Sequence, residues 1–236
     1  MDAGLRFESL AQAGAASVFT PDLRGHGERP QRRGDVDYVD QLEDDLADLV
    51  SHVRERCPRA RCIVGGHSSD GGLAVRFAGS RHRDLADGLL LLAPFLGHDA
   101  PTTRPGSGGW ARPRIPRIVA LSALDGLGIR SFQGTTVITF AMPEEVRDGT
   151  ETLAYSDRLN AGLAPRSYRR DLADLRVPLL ALVGADDEAF YTERFEPALA
   201  PFSQAEVAVI GGAGHLDLPD HPDATRSIVR WLARFA

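Results

Sequence analysis

Three short stretches carry residue types that could act together on a carbonyl group. Gly66-His67-Ser68-Ser69 follows an apolar run, Val183-Gly184-Ala185-Asp186-Asp187 ends another, and Gly214-His215 closes a glycine-rich loop. A serine hydroxyl is a weak nucleophile until a base takes its proton, and an imidazole serves as that base when a carboxylate holds it in the right tautomer. All three types are present, in the order serine, aspartate, histidine. The chemistry they could perform is acyl transfer through a covalent serine ester.

The serine stretch reads as a nucleophile elbow, a strand–turn–helix in which the serine stands clear at the strand end. Strand and helix nearly collide there, so the positions two before and two after the serine must be small. Two registers compete. With Ser68 as nucleophile, Gly66 is correctly placed and Asp70 stands where glycine is expected. With Ser69, Gly71 is correctly placed and His67 occupies the crowded position. Ser68 is favoured, because aspartate crowds less than histidine and a carboxylate suits the first turn of a helix. The backbone N–H of Ser69 would then face the developing oxyanion. Asp186 and Asp187 are both candidates for the acid, and His215 is the candidate base.

These residues need a scaffold that brings three strand ends together. Apolar runs at Arg61 to Gly65, Gly88 to Ala93, Val177 to Val183 and Gln204 to Ile210 read as buried strands, with a further strand at Ala16 to Pro21. They alternate with helical patterns at Tyr38 to Arg56, Gly71 to Ser80, Tyr191 to Ala200 and after Pro222. In the first of these, Leu42, Leu46, Leu49, Val50 and Val53 form an apolar stripe. Unbroken apolar strands between helices predict an α/β class with a doubly wound, mostly parallel sheet. The alternation breaks after Pro94. The Pro-, Gly- and Arg-rich Pro94 to Pro116 (with Trp110), the apolar Ile118 to Ile129, a strand at Thr135 to Met142 and a helix at about Gly149 to Gly162 read as an inserted cap. The predicted organisation is a first core segment over 1–94, a cap over 95–165 and a second core segment over 166–236.

The 236 residues suffice for a sizeable core, and the net charge of -6 argues against nucleic acid as a partner. Cys57 and Cys62 read as reduced thiols, and no Cys/His cluster has zinc-ligand spacing. No metal or cofactor is implied. The N-terminus lacks the features of a signal peptide, and the longest apolar run, Leu89 to Leu96, is too short to span a membrane. The chain as written is expected to be soluble and cytoplasmic, with no integral membrane segment.

The sequence resembles the α/β-hydrolase family, and within it the lysophospholipase- and monoacylglycerol-lipase-like branch, also called serine aminopeptidase-like hydrolases. The resemblance rests on Pro21-Asp22-Leu23-Arg24-Gly25-His26-Gly27, the Gly66-His67-Ser68-Ser69 elbow, Gly184-Ala185-Asp186-Asp187 and Gly214-His215. It implies an α/β-hydrolase fold with an inserted cap and a triad of Ser68, Asp187 and His215. The family's acid is usually the third residue after the glycine, which selects Asp187. Arg24 and His26 are expected to be structural. The implied activity is hydrolysis of carboxylic esters, small-molecule or lipid-like, through an acyl-enzyme.

Two departures accompany the resemblance. About 15 residues precede the Pro21-to-Gly27 loop, and they read as a helix, Gly4 to Ala13, with no His-Gly motif. The family's first three strands and its oxyanion loop are therefore expected to be missing, as from an N-terminal truncation at Met1. The alternative expectation is a catalytically impaired remnant of the same fold. The second departure is Asp70, which brings a Cβ and a charge to a position the family leaves bare.

Overall fold

In the computed structural model, residues 10–11, 14–106, 109, 111–142, 144–202 and 204–235 are described. The chain divides into two compact units. The larger takes the described residues up to Pro21, Glu43–Arg104 and the chain from Ala164 onward; the smaller takes Asp22–Leu42 and Pro105–Leu163.

The larger unit is built on a parallel sheet of β1 (Ile63–His67), β2 (Gly88–Leu92), β6 (Leu179–Gly184) and β7 (Ala205–Ile210), in the order β1-β2-β6-β7. The two central strands, Gly-Leu-Leu-Leu-Leu and Leu-Leu-Ala-Leu-Val-Gly, are buried at every position. A strand covered on both faces has no reason to alternate, which is why these two read as continuous apolar runs. The outer strands β1 and β7 mix buried with exposed positions, and β7 carries Glu206. Leu89, Leu91, Leu92, Leu179 and Leu182 are fully buried, as are Phe77 and Phe195. Each such side chain contributes about 1.5–3 kcal/mol relative to exposure.

Three helices pack against this sheet, α2 (Ser69–Ala78), α6 (Phe195–Leu199) and α7 (Pro222–Leu232); α5 (Tyr168–Asp171) packs on α2, and α1 (Gln41–Arg56) adds Ala47 and Val50 to the same core. In α7, Pro222 opens the helix, the His221 Nδ1 accepts the Asp223 N–H, and Ala224, Ile228 and Trp231 form the buried face. α2 is buried from Gly71 through Ala78, Arg76 included. Arg76 is accommodated by a buried carboxylate: its Nε donates to Glu43 Oε1 at 2.5 Å, and the exposed Arg166 donates to the same oxygen through Nη2 at 2.5 Å. Arg76 Nη1 also reaches the Ala164 carbonyl at 3.1 Å.

The smaller unit holds an antiparallel sheet of β3 (Ala111–Pro113), β4 (Thr136–Phe140) and β5 (Ala154–Ser156), in the order β3-β4-β5, with α3 (Ile115–Gly126) and α4 (Asp157–Leu163). The Asp22–Leu42 segment is tied into it. Arg158 pairs with Asp35 through Nε and Nη2 at 2.7 and 2.5 Å, and the Ser156 N–H donates to the Gly34 carbonyl. His26 Nε2 lies 3.0 Å from the Tyr155 hydroxyl and its Nδ1 3.3 Å from the Arg24 carbonyl.

Three sequence expectations need correction. Ala16 to Pro21 forms no strand; it is irregular, with Val18 and Phe19 exposed. A β-branched run becomes a strand only where a neighbour takes its N–H and C=O groups, and among the described residues none pairs with it. The helix expected over Gly149 to Gly162 is a short strand, β5, followed by α4, because Ala154–Ser156 pairs with β4. The helix over Tyr191 to Ala200 is a 3₁₀ turn, Thr192–Arg194, running into the shorter α6. The expected helix at Gly4 to Ala13, apart from Leu10 and Ala11, lies outside the described residues, as does Trp110.

Candidate active site

The parallel sheet sets the site at one edge. β1, β2, β6 and β7 run in the same direction, with His67 beside Leu92 of β2 and Gly184 of β6 beside Ile210 of β7 at their C-terminal ends. Ser68 follows β1, Asp187 follows β6 and His215 follows β7, so all three arise from strand C-termini, where α/β sheets open a crevice.

Ser68 has φ 54° and ψ -116°, a left-handed conformation that a non-glycine residue adopts only when its surroundings impose it. They do so here. The Ser68 N–H donates to the Leu92 carbonyl at 2.9 Å, and the Ser68 carbonyl accepts from the Phe95 and Gly72 N–H groups at 2.8 and 3.1 Å. Ser69 is the first residue of α2, so its N–H lies among the helix-start donors that have no intrahelical acceptor.

Spacing around the turn is supplied by Gly66. A Cβ there would lie 2.4 Å from the Asp70 carbonyl carbon. The Asp70 side chain itself is exposed.

The acid and histidine loops are laced together. The Asp186 N–H donates to the Ala213 carbonyl at 3.0 Å, and the Ala185 N–H to the Ile210 carbonyl at 2.9 Å. This approach requires Gly184, whose Cβ would stand 2.3 Å from the Ala213 oxygen.

The three side chains meet in a line. His215 Nδ1 lies 2.9 Å from Asp187 Oδ2, and His215 Nε2 lies 3.0 Å from Ser68 Oγ. A carboxylate only accepts, so Nδ1 carries the proton and Nε2 presents its lone pair to the serine hydroxyl. The other Asp187 oxygen accepts from the Ala189 and Phe190 N–H groups, both at 2.8 Å. Burial alone would raise the Asp187 carboxyl. The hydrogen bond and electrostatic attraction from His215, with the two backbone donors, outweigh it and hold the group below the usual carboxylate range. Phe190 meets the imidazole edge-on, with ring centroids 5.2 Å apart.

Two residues that the sequence reading passed over also touch His215. His67 Nε2 donates to its carbonyl at 2.9 Å, with the two rings 4.6 Å apart. Glu188 Oε2 accepts its backbone N–H at 3.0 Å. Their only sequence signal is adjacency: each is the immediate neighbour of a triad candidate.

A family model described as serine aminopeptidase, S33, matches residues 6–216. The chain belongs to that family. The serine aminopeptidase S33 proteins are hydrolases of the α/β-hydrolase fold, as the resemblance implied. An uncharacterized protein of Mycobacterium tuberculosis is 25% identical over 230 residues, covering 90% of this chain; the chain spans 65% of that relative's length. Among solved structures, the monoacylglycerol lipase of Paleococcus ferrophilus superposes with a TM-score of 0.71 at 19% identity, covering 99% of this chain and 90% of the lipase. A thermophilic esterase from Thermogutta terrifontis gives a TM-score of 0.60 at 25% identity, covering 98% and 84% of the respective chains. Among the described residues of this S33 member, no helix is long and apolar enough to cross a membrane.

Proposed function

We propose that this chain is a serine hydrolase of carboxylic esters, with Ser68 as nucleophile, His215 as general base and acid, and Asp187 as the group that orients the imidazole. The observation that carries the reading is the continuous line from Asp187 Oδ2 to His215 Nδ1 at 2.9 Å and from His215 Nε2 to Ser68 Oγ at 3.0 Å. The similarity to an esterase and the S33 family match support it.

The reaction runs in two halves. Ser68 Oγ attacks the ester carbonyl while its proton passes to His215 Nε2. The Ser69 N–H donates to the oxyanion as it forms. The intermediate collapses, the bond to the leaving oxygen breaks, and His215 gives its proton to the departing alcohol. Water then attacks the acyl carbon, losing a proton to His215, and the acid leaves as that proton returns to Ser68 Oγ. Asp187 stays ionised throughout and stabilises the transient imidazolium. Residues 95–165 are the cap insertion in this reading, the substrate is a small or lipid-like ester, and the two half-reactions as written call on no metal or cofactor. The site of action is the cytoplasm.

The test is hydrolysis of a series of p-nitrophenyl esters of increasing acyl length. A pre-steady-state burst of about one equivalent is expected, and Ser68→Ala should lower kcat by about 10⁴- to 10⁶-fold. Turnover that survives Ser68→Ala would overturn the assignment. A second reading, a catalytically impaired member of the fold, draws on one observation: Ala16 to Pro21 joins no strand among the described residues. It predicts folded protein with neither burst nor turnover.

A further inference from the structure

His215 is held at four points, and the four holders come as two dipeptides. His67-Ser68, at the end of β1, grips it twice: Ser68 Oγ meets the ring at Nε2 at 3.0 Å, and His67 Nε2 meets the main-chain carbonyl at 2.9 Å. Asp187-Glu188, after β6, does the same from the other side: Asp187 Oδ2 meets Nδ1 at 2.9 Å, and Glu188 Oε2 meets the main-chain N–H at 3.0 Å. Each dipeptide therefore spends one side chain on the imidazole and its neighbour on the peptide groups that carry it.

The loop itself shows why such a grip matters. Gly211-Gly212-Ala213-Gly214 precedes the histidine, and three glycines in four residues leave the backbone little intrinsic preference. β7 ends at Ile210, so no strand ladder reaches His215. Asp217 Oδ1 accepts the Gly214 N–H at 2.7 Å, which fixes the residue before it. The peptide groups of His215 itself are fixed by His67 and Glu188. The His67 contact has a defined sense: a carbonyl only accepts, so His67 Nε2 bears the proton.

We propose that His67 and Glu188 are positioning residues for the general base. They act on the His215 main chain, so that one imidazole spans the distance between Ser68 and Asp187. This rests on the triad reading above. Neither residue is assigned a place among the reacting atoms. A displacement of the base by about 1 Å is enough to slow such a reaction about 100-fold, and a short loop freed at either peptide group can move that far.

The experiment is the second-order rate of Ser68 labelling by a fluorophosphonate on folded protein, with thermal stability followed in parallel. The conservative variants separate the contacts from general structure. His67→Phe keeps a ring against His215 and removes the donor, whereas His67→Gln keeps a donor and removes the ring. Glu188→Ala removes the acceptor, whereas Glu188→Gln keeps one. His67→Phe and Glu188→Ala are expected to label about 10- to 100-fold more slowly than wild type, with His67→Gln and Glu188→Gln restoring most of the rate. Hydrogen exchange at the His215 amide should quicken in Glu188→Ala and not in Glu188→Gln. Wild-type labelling with unchanged rates and exchange in His67→Phe and Glu188→Ala would overturn the positioning role and leave the triad standing. Folded wild type that does not label would overturn the triad reading, and the positioning role with it.

Discussion

Gly66 and Asp70 approach so closely that a Cβ added to Gly66 would sit 2.5 Å from the Asp70 carbonyl oxygen and 2.7 Å from its Cβ. The contact explains how the turn tolerates an aspartate two residues after Ser68. The crowding lies between two positions, and glycine at one of them relieves it. Asp70 then directs an exposed side chain from the first turn of α2.

Gly66→Ala should therefore break the elbow, because the atoms in the way are backbone. A destabilisation of about 1–3 kcal/mol in urea unfolding is expected, with fluorophosphonate labelling slowed at least about 100-fold. Labelling at the wild-type rate would show that the turn has room the geometry denies.

Asp70→Gly should do the opposite of a repair. It removes a carboxylate from a helix start and adds a flexible residue, so it should cost about 1 kcal/mol of stability. The labelling rate should stay within about twofold. A marked rise would mean that Asp70 does crowd the nucleophile.

Asp187 links the site to pH. Its carboxyl is held below the usual range, so the folded chain binds fewer protons there than the unfolded one. The stability this contributes is complete above the unfolded value of about 3.9 and is lost as pH falls through the depressed folded value. Asp187→Asn removes that dependence. The difference in unfolding free energy between wild type and Asp187→Asn should be largest above about pH 5 and shrink on acidification below about pH 4. A difference that grows on acidification would reverse the assigned direction. The same variant should lose about 10⁴-fold in kcat, because an amide no longer selects the productive imidazole tautomer.

The buried Glu43–Arg76 pair, joined from the surface by Arg166, predicts a stability effect away from the chemistry. Glu43 and Arg76 are 3% and 4% exposed, and Glu43 Oε1 serves both arginines. Glu43→Ala removes the buried carboxylate that Arg76 Nε donates to and should cost about 3–5 kcal/mol. A loss below about 1 kcal/mol, measured by urea unfolding, would mean that water reaches the cluster.

What the sequence made legible follows from which contacts leave a pattern. The central strands β2 and β6 are readable because burial on both faces produces runs of leucine and valine. The elbow is readable because the turn demands glycine near serine. Asp186 and Asp187 are equivalent by composition, and the family resemblance alone favours Asp187; in the fold Asp187 Oδ2 faces the imidazole while Asp186 uses its backbone on Ala213. The grip of His67 and Glu188 on His215 joins side chains to main chain across distant segments, and such contacts have no periodicity. Arg76 looks like a surface residue on an amphipathic helix until Glu43 arrives from α1. Ala16 to Pro21 has strand composition, but a strand also needs a neighbour, which propensity does not report.

The most direct test of the account is to map the residue modified by a fluorophosphonate, using peptide mass spectrometry on wild type, Ser68→Ala and Ser69→Ala. The account predicts a single adduct on Ser68, absent in Ser68→Ala and retained in Ser69→Ala, whose contribution is a backbone N–H. An adduct on Ser69, or folded wild-type protein that takes up no label, would contradict it.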